Sequence, residues 1–202
     1  MFNLTKSKLH SFKENIDVII DKYPYYESLN KKLIEDARHI PFYPPDLNPI
    51  YTNIRGTQTL NLYDKEPASV KELLEWVRTL LLSTDSPYFW ATKEKYDEST
   101  NRESNVRSQI SIYSWMARYN EGDWTRNHNH TSALMGFVYF INTPKGSSPL
   151  VFKTSGKKIK AEEGKIVLFP GVMNHYVPKN KCKNRMILAG NIIFSECNDA
   201  SF

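Results

Sequence analysis

The spacing of apolar residues changes character halfway along this chain. In the first third, Leu9, Phe12, Ile16 and Ile19 recur at helical spacing after a possible cap at Thr5, and Leu29, Leu33, Ala37 and Ile40 repeat the pattern before Pro41. The run PFYPPDLNP from Pro41 to Pro49 cannot continue a helix, because proline lacks the N–H donor and restricts its predecessor, so it reads as an extended connector. A third helix is predicted over Val70–Ser83. Ser69 and Glu72 have the spacing of a capping box, and Leu73, Leu74, Val77, Leu80 and Leu81 form one stripe behind them. Residues 92–105 are polar throughout and predict a solvated loop or flap.

From about Ser108 the helical period gives way to short β-branched and aromatic stretches: QISIYSWMARY, LMGFVYFIN, PLVFKT, KIVLFP, HYVP and RMILAGNIIF. Each is bounded by Gly, Pro, Asn or Ser. No helical pattern separates them, which favours an antiparallel sandwich or barrel over βαβ units. The expected fold is therefore mainly β with N-terminal helices (α+β), a single domain over residues 1–202. A helical support region over 1–105 packs on a β core over 106–202.

Composition adds exclusions. With 40% apolar and 24% charged residues the 202-residue chain is neither disordered, collagen-like nor membrane-spanning, and it is long enough to bury a core. The 27 Lys and Arg exceed the 22 Asp and Glu by 5, a mild basic excess. It is spread along the sequence except for Lys153, Lys157, Lys158 and Lys160, a ribbon best read as a solvated hairpin edge that discourages sheet aggregation. Cys182 and Cys197 are the only cysteines, too few for a disulfide framework, and no charged-then-apolar leader opens the sequence. A reduced, cytoplasmic setting is expected.

Candidate chemistry lies in the histidines. Of the five, His128, His130 and His175 fall in the β half. Residues i and i+2 of a strand share a face about 6–7 Å apart, so His128 and His130 can meet one ion. His175, in NHYV just after the strand KIVLFP, is placed to complete a facial set from a distant strand. The spelling HNH has no bearing on HNH nucleases, whose three residues are scattered along a ββα unit.

With these residues in view, the segment YNEGDWTRNHNH (Tyr119 to His130) resembles the Y-x-x-G…H-x-D entry of the 2-oxoglutarate and Fe(II)-dependent oxygenases, in the prolyl 4-hydroxylase-like branch. VYFIN, SSPLVF and GKIVLFP resemble that branch's next strands in order, followed by NHYV around His175 and, ten residues on, Arg185. The likeness covers about Ile112 to Phe194. It implies a double-stranded β-helix (jelly roll) as the catalytic core. It also implies His128, His130 and His175 as metal ligands and catalytic centre, with Fe(II) and 2-oxoglutarate as cofactors and O₂ as co-reactant. Arg185, Tyr119, Phe140 and Asn191 form the implied cosubstrate set. Arg185 is the fixed cation for the far carboxylate, since an arginine fork suits a carboxylate. Phe140 stands where a second tyrosine is common. The implied reaction decarboxylates 2-oxoglutarate to succinate and hydroxylates a C–H of an unidentified substrate, a peptide or amino-acid side chain being favoured. Nucleic acid is less favoured as substrate, because Asn191 stands where the superfamily's dealkylases carry a second arginine.

The family's usual second ligand is a carboxylate, and this chain has His130; no Asp or Glu occurs from Thr131 to Ala161. Glu121 and Asp123 lie just upstream. Three histidines are the expected set. That choice keeps open a cupin-type three-His metalloenzyme independent of 2-oxoglutarate: Gly122, His128 and His130, then Gly164, Pro170 and His175, are spaced in a way similar to the two cupin motifs. A zinc hydrolase or hydratase site and a non-catalytic metal-binding module are further readings. Trp115, Trp124 and Arg118 are candidates for the cavity mouth.

Overall fold

The computed structural model describes residues 16–50, 52–63, 65–83 and 106–198. In chain order these form β1 (Ile19–Lys22), α1 (Tyr26–Asp36), β2 (Ile54–Arg55), β3 (Thr57–Gln58), α2 (Ala68–Ser83), β4 (Val106–Tyr119), β5 (Trp124–His128), β6 (Met135–Asn142), β7 (Leu150–Phe152), β8 (Lys158–Ile159), β9 (Lys165–Pro170), β10 (His175–Val177) and β11 (Arg185–Asn198). Every pairing is antiparallel. A large sheet runs β1-β9-β6-β11-β4-β3 and a small one β2-β5-β10-β7-β8.

Alternation along the three central strands of the large sheet sorts residues between two cores. Ile112 and Met116 of β4, Phe137 and Tyr139 of β6, and Leu188 and Ile192 of β11 pack with Leu29 and Leu33 of α1 and Leu73 and Val77 of α2. The intervening residues, Ala117, Tyr119, Val138, Phe140, Ile187 and Ala189, face the small sheet and its Leu150, Phe152 and Val177. The helices thus cover one face of the large sheet, and the other forms the wall of an inter-sheet space.

The helix-side core carries one buried polar link. Asn30 Nδ2 donates to the Ile141 carbonyl at 2.7 Å, and the Tyr139 hydroxyl donates to Asn30 Oδ1 at 2.8 Å, which pins α1 to β6. Every buried polar atom of that link has a partner, as burial requires.

Three sequence expectations change. The helix predicted through Ile16 and Ile19 is not formed there: Ile19 opens β1, which pairs with β9 at Ile19↔Leu168. An unpaired sheet edge overrides a short amphipathic period. The rest of that helix, from Thr5 to Phe12, and the loop at 92–105 lie outside the described residues. The third helix forms, but without the capping box. Ser69 sits inside α2 with its hydroxyl bonded to Asp36, and Glu72 accepts from Tyr23 Oη and Lys32 Nζ, each at 3.0 Å. Both side chains tie α2 to its neighbours instead of to its own backbone. The front of the chain is also not purely helical, since β1, β2 and β3 each add a strand to a sheet. Among the described residues, no helix is long and apolar enough to cross a membrane.

Candidate active site

His128 ends β5 and His175 opens β10, and the two are direct cross-strand partners. His130 arrives differently from the same-strand geometry expected of H-x-H: it lies two residues beyond the end of β5. Its N–H donates to the Gly171 carbonyl at 2.6 Å, and its own carbonyl accepts from Ala133 N–H at 2.8 Å. Two glycines make this approach possible. A Cβ on Gly171 would fall 2.5 Å from the His130 carbonyl oxygen, and one on Gly136 would meet Phe169 at 2.9 Å and the His130 ring at 3.2 Å.

The ring centroids lie 4.9 Å (His128–His130), 4.3 Å (His128–His175) and 5.1 Å (His130–His175) apart. One ring nitrogen from each comes within 4.8 Å of the others, which places a single ion within reach of all three. His128 Nδ1 is 2.9 Å from the Arg126 carbonyl and His175 Nδ1 is 2.9 Å from the Met173 carbonyl. A carbonyl only accepts, so both Nδ1 atoms carry the proton and leave the Nε2 lone pairs free, the arrangement of metal-binding imidazoles. Burial lowers the pKa of all three rings, with mutual repulsion adding for His130, brought to about 4, and for His175, brought to about 3. They are neutral at physiological pH, the form that binds metal.

Among the described residues no carboxylate joins this trio. Asp123 is engaged in the turn before β5, where its Oδ2 accepts from Asn120 N–H at 2.7 Å, and Glu121 is exposed.

The histidines open onto a cavity of about 340 Å³ between the sheets, with Leu150, Phe169, Val177, Ile187 and Ala189 among its walls. Tyr119 and Thr125 also line it and share a hydrogen bond of 2.8 Å between their hydroxyls. Arg185, the first residue of β11 and partner of Tyr119 in register, is 0% exposed. Its guanidinium carbon lies 4.5 Å from the Tyr119 ring centroid and 5.6 Å from that of Phe140, and Nε, Nη1 and Nη2 all lack hydrogen-bond partners. Burial pulls its pKa down, opposed by Tyr119. A buried cation without an acceptor is costly and implies an anion to receive. Tyr119 is itself fully buried, which raises its phenol pKa and keeps the hydroxyl neutral.

Asn191 lies six residues along β11 from Arg185, about 20 Å at the rise of a strand, opposite Gly136. It lines the histidine end of the cavity, and its Oδ1 has no partner. Of the implied cosubstrate set it thus stands at the histidine end, apart from Arg185. Trp115 also lines the cavity, whereas Trp124 faces a different groove. Arg118 points to the helices: its Nη2 donates to the Ala37 carbonyl at 2.8 Å and its guanidinium stacks 3.9 Å from the Phe42 ring centroid.

Several lining residues carry no sequence signal. Thr52, Asn53, Ile54 and Gln58 reach the cavity from the segment around β2 and β3. These strands are two residues each, too short for any period to show. The one mark they leave is Gly56, where a Cβ would fall 2.5 Å from the Arg118 carbonyl oxygen. Thr125 is visible only through its bond to Tyr119.

No protein-family model matches the sequence, nor does any curated protein. Solved structures match its fold. A prolyl 4-hydroxylase from Pseudomonas putida aligns over 88% of this chain and 92% of its own, with a TM-score of 0.60 and 14% identity. A prolyl hydroxylase from Trichoplax adhaerens, in complex with a hypoxia inducible factor oxygen degradation domain peptide fragment, aligns over 86% and 82% with a TM-score of 0.57 and 14% identity. The viral collagen prolyl hydroxylase of Paramecium Bursaria Chlorella virus-1, in its 2-oxoglutarate complex, aligns over 86% and 94% with a TM-score of 0.56 and 14% identity. The mainly β jelly-roll fold of this chain is therefore shared with these prolyl hydroxylase structures.

Proposed function

We propose that this chain is a non-heme Fe(II) and 2-oxoglutarate-dependent dioxygenase that hydroxylates a C–H bond of a peptide or amino-acid side chain. One observation carries the reading: three neutral imidazoles converge on a cavity, and behind Tyr119, which also lines it, lies a fully buried guanidinium with no hydrogen-bond acceptor. A metal suits the first group and a carboxylate suits the second.

His128, His130 and His175 would hold the iron, and Arg185 would receive the far carboxylate of 2-oxoglutarate, with the hydroxyls of Tyr119 and Thr125 beside it. Bound iron and cosubstrate supply the oxidising power, 2-oxoglutarate being decarboxylated to succinate as the substrate C–H is hydroxylated. The protein's contribution is positional. The Arg126 and Met173 carbonyls fix the tautomers of two ligands, Gly136 and Gly171 admit the third, and the apolar walls exclude water. Because all three ligands are neutral, the site keeps the metal's full charge until the cosubstrate dianion arrives, so iron should bind more weakly alone than with 2-oxoglutarate. Among the described residues no Asp, Glu, Lys or Arg lines the cavity, which suits an uncharged substrate group. The names of the similar structures support a peptide substrate, and two cysteines in the whole chain suit a cytoplasmic setting.

The missing carboxylate ligand favours a second reading, a three-His metalloenzyme of cupin type that does not use 2-oxoglutarate. Anaerobic titration of the Fe(II)-loaded protein with 2-oxoglutarate separates the two. The expected result is a weak visible charge-transfer band that saturates with cosubstrate and is lost in Arg185→Met. Stoichiometric iron with no band at any concentration would transfer the assignment to the cupin reading.

A further inference from the structure

The basic excess is spread in the sequence but not in space. From Trp124 to Phe194 there are eleven Lys and Arg and only two acids, Glu162 and Glu163. Glu162 is occupied by Lys160 at 3.2 Å and Lys165 at 2.6 Å. The five strands of the small sheet contain no Asp or Glu at all.

Register decides which side of that sheet the cations take. Thr125, Val177 and Leu150 line the inner cavity. Their chain neighbours Trp124, Tyr176 and Val151 therefore turn outward, together with Arg55, which pairs with Trp124, and Lys158, which pairs with Val151. Arg126 also lines the groove over that face. A groove of about 370 Å³ runs over this outer face, and Trp124, Arg126, Lys153, Tyr176 and Lys179 line it. Lys153, Lys158 and Lys179 are exposed, and the two aromatic rings are half-buried between them. A hairpin edge protected by lysines accounts for Lys158 on the edge strand β8 but not for Arg126, Lys153 and Lys179, which flank the central strand β10.

We infer that the outer face of the small sheet binds single-stranded nucleic acid, with Lys153, Lys158, Lys179 and Arg55 along its phosphates and Trp124 and Tyr176 beneath its bases. Cations alone would suit any polyanion. Flat rings set among the cations are the feature that selects bases, because every base has a π-face to stack and an acidic peptide or a sulfated polymer does not. The surface is the reverse side of the strand that carries His175, so this binding is independent of the proposed catalysis.

The test uses the full chain without added metal and a fluorescein-labelled oligothymidylate of about a dozen nucleotides, followed by anisotropy. Binding should weaken with salt at a log–log slope of about −3, as expected for four or five neutralised phosphates on a single strand. The triple variant Lys153→Glu, Lys158→Glu, Lys179→Glu should lose at least 30-fold in affinity, on the order of that slope applied to charge reversal. It should keep the wild-type Co(II) uptake at the three histidines. Trp124→Ala should weaken binding about tenfold. Tyr176→Leu checks the same stacking should the tryptophan variant not fold. No binding at low salt overturns the inference. Equal affinity for polyglutamate, heparin or a duplex of the same length, with neither aromatic substitution having an effect, also overturns it in favour of a general polyanion surface.

Discussion

The two faces of the large sheet are built from alternate residues of the same strands, yet apart from Ser114 Oγ on the helix side their unpartnered buried polar atoms lie on the cavity side. On the helix side the Asn30, Tyr139 and Ile141 link is complete: each buried donor has an acceptor at 2.7–2.8 Å. On the cavity side Arg185, Trp115 and Asn191 hold buried polar atoms with no partner at all. Volume follows the same division. The helix side is filled by Tyr139, Leu188 and Ile192, whereas the small residues Ala189 and Gly190 line the open cavity. An unmade hydrogen bond costs more than a made one contributes, so a face that tolerates several is kept for something other than stability.

That contrast can be broken or sharpened experimentally. The largest effect is expected at the open end. His175→Ala removes a buried ligand whose tautomer is fixed by Met173, and Fe(II) or Co(II) affinity should fall by more than about 100-fold, beyond the loss typical of supporting groups. Isothermal titration would check it, and unchanged affinity would remove His175 from the site. On the helix side, Asn30→Ala strands the Tyr139 hydroxyl and the Ile141 carbonyl, and should cost about 3 kcal/mol in urea unfolding while metal affinity stays as it was. Arg185→Met should act with the opposite sign. Removing an unpaired buried cation should leave the ligand-free protein as stable as wild type or about 1–2 kcal/mol more so, while 2-oxoglutarate binding disappears. A destabilised Arg185→Met would mean that the guanidinium serves the fold.

The smallest effect is on pH dependence in the metal-free protein. His130 and His175 have folded pKa values of about 4 and about 3, below the unfolded value near 6.5. As pH falls through 6.5 the unfolded chain takes up protons that the folded chain refuses, so stability is lost from there down towards pH 3 and is unaffected above about pH 7. Urea midpoints over that range should fall more steeply in wild type than in His175→Ala.

Much of this organisation is legible from local pattern. The strands of the second half, the amphipathic stretch ending at Ala37 and the stripe of α2 all appear as periodicities, because each buries one side against a neighbour. His128, His130 and His175 stand out because imidazoles at those spacings have few structural uses in common. Other features left no such trace. Ile19 shares the period of the residues before it, and only the open edge of β9 makes it a strand. Ser69 and Glu72 spell a cap but are drawn away by Asp36, Tyr23 and Lys32, partners from elsewhere in the chain. The walls supplied by Thr52, Asn53 and Gln58 have no period because their strands are two residues long.

Residue order alone determined that this chain makes an antiparallel β structure with three histidines at telling places, because those depend on local alternation and side-chain chemistry, while Arg185 stood out only through the family resemblance. Tertiary structure decided the rest. It placed His130 through the Gly171 carbonyl instead of through a strand, buried Arg185 against the Tyr119 ring without a hydrogen-bond acceptor, put Asn191 at the histidine end of the cavity, and gathered scattered cations on the outer face of the small sheet. Each of those outcomes depends on which distant backbone comes alongside, and distance in space is not encoded in separation along the chain.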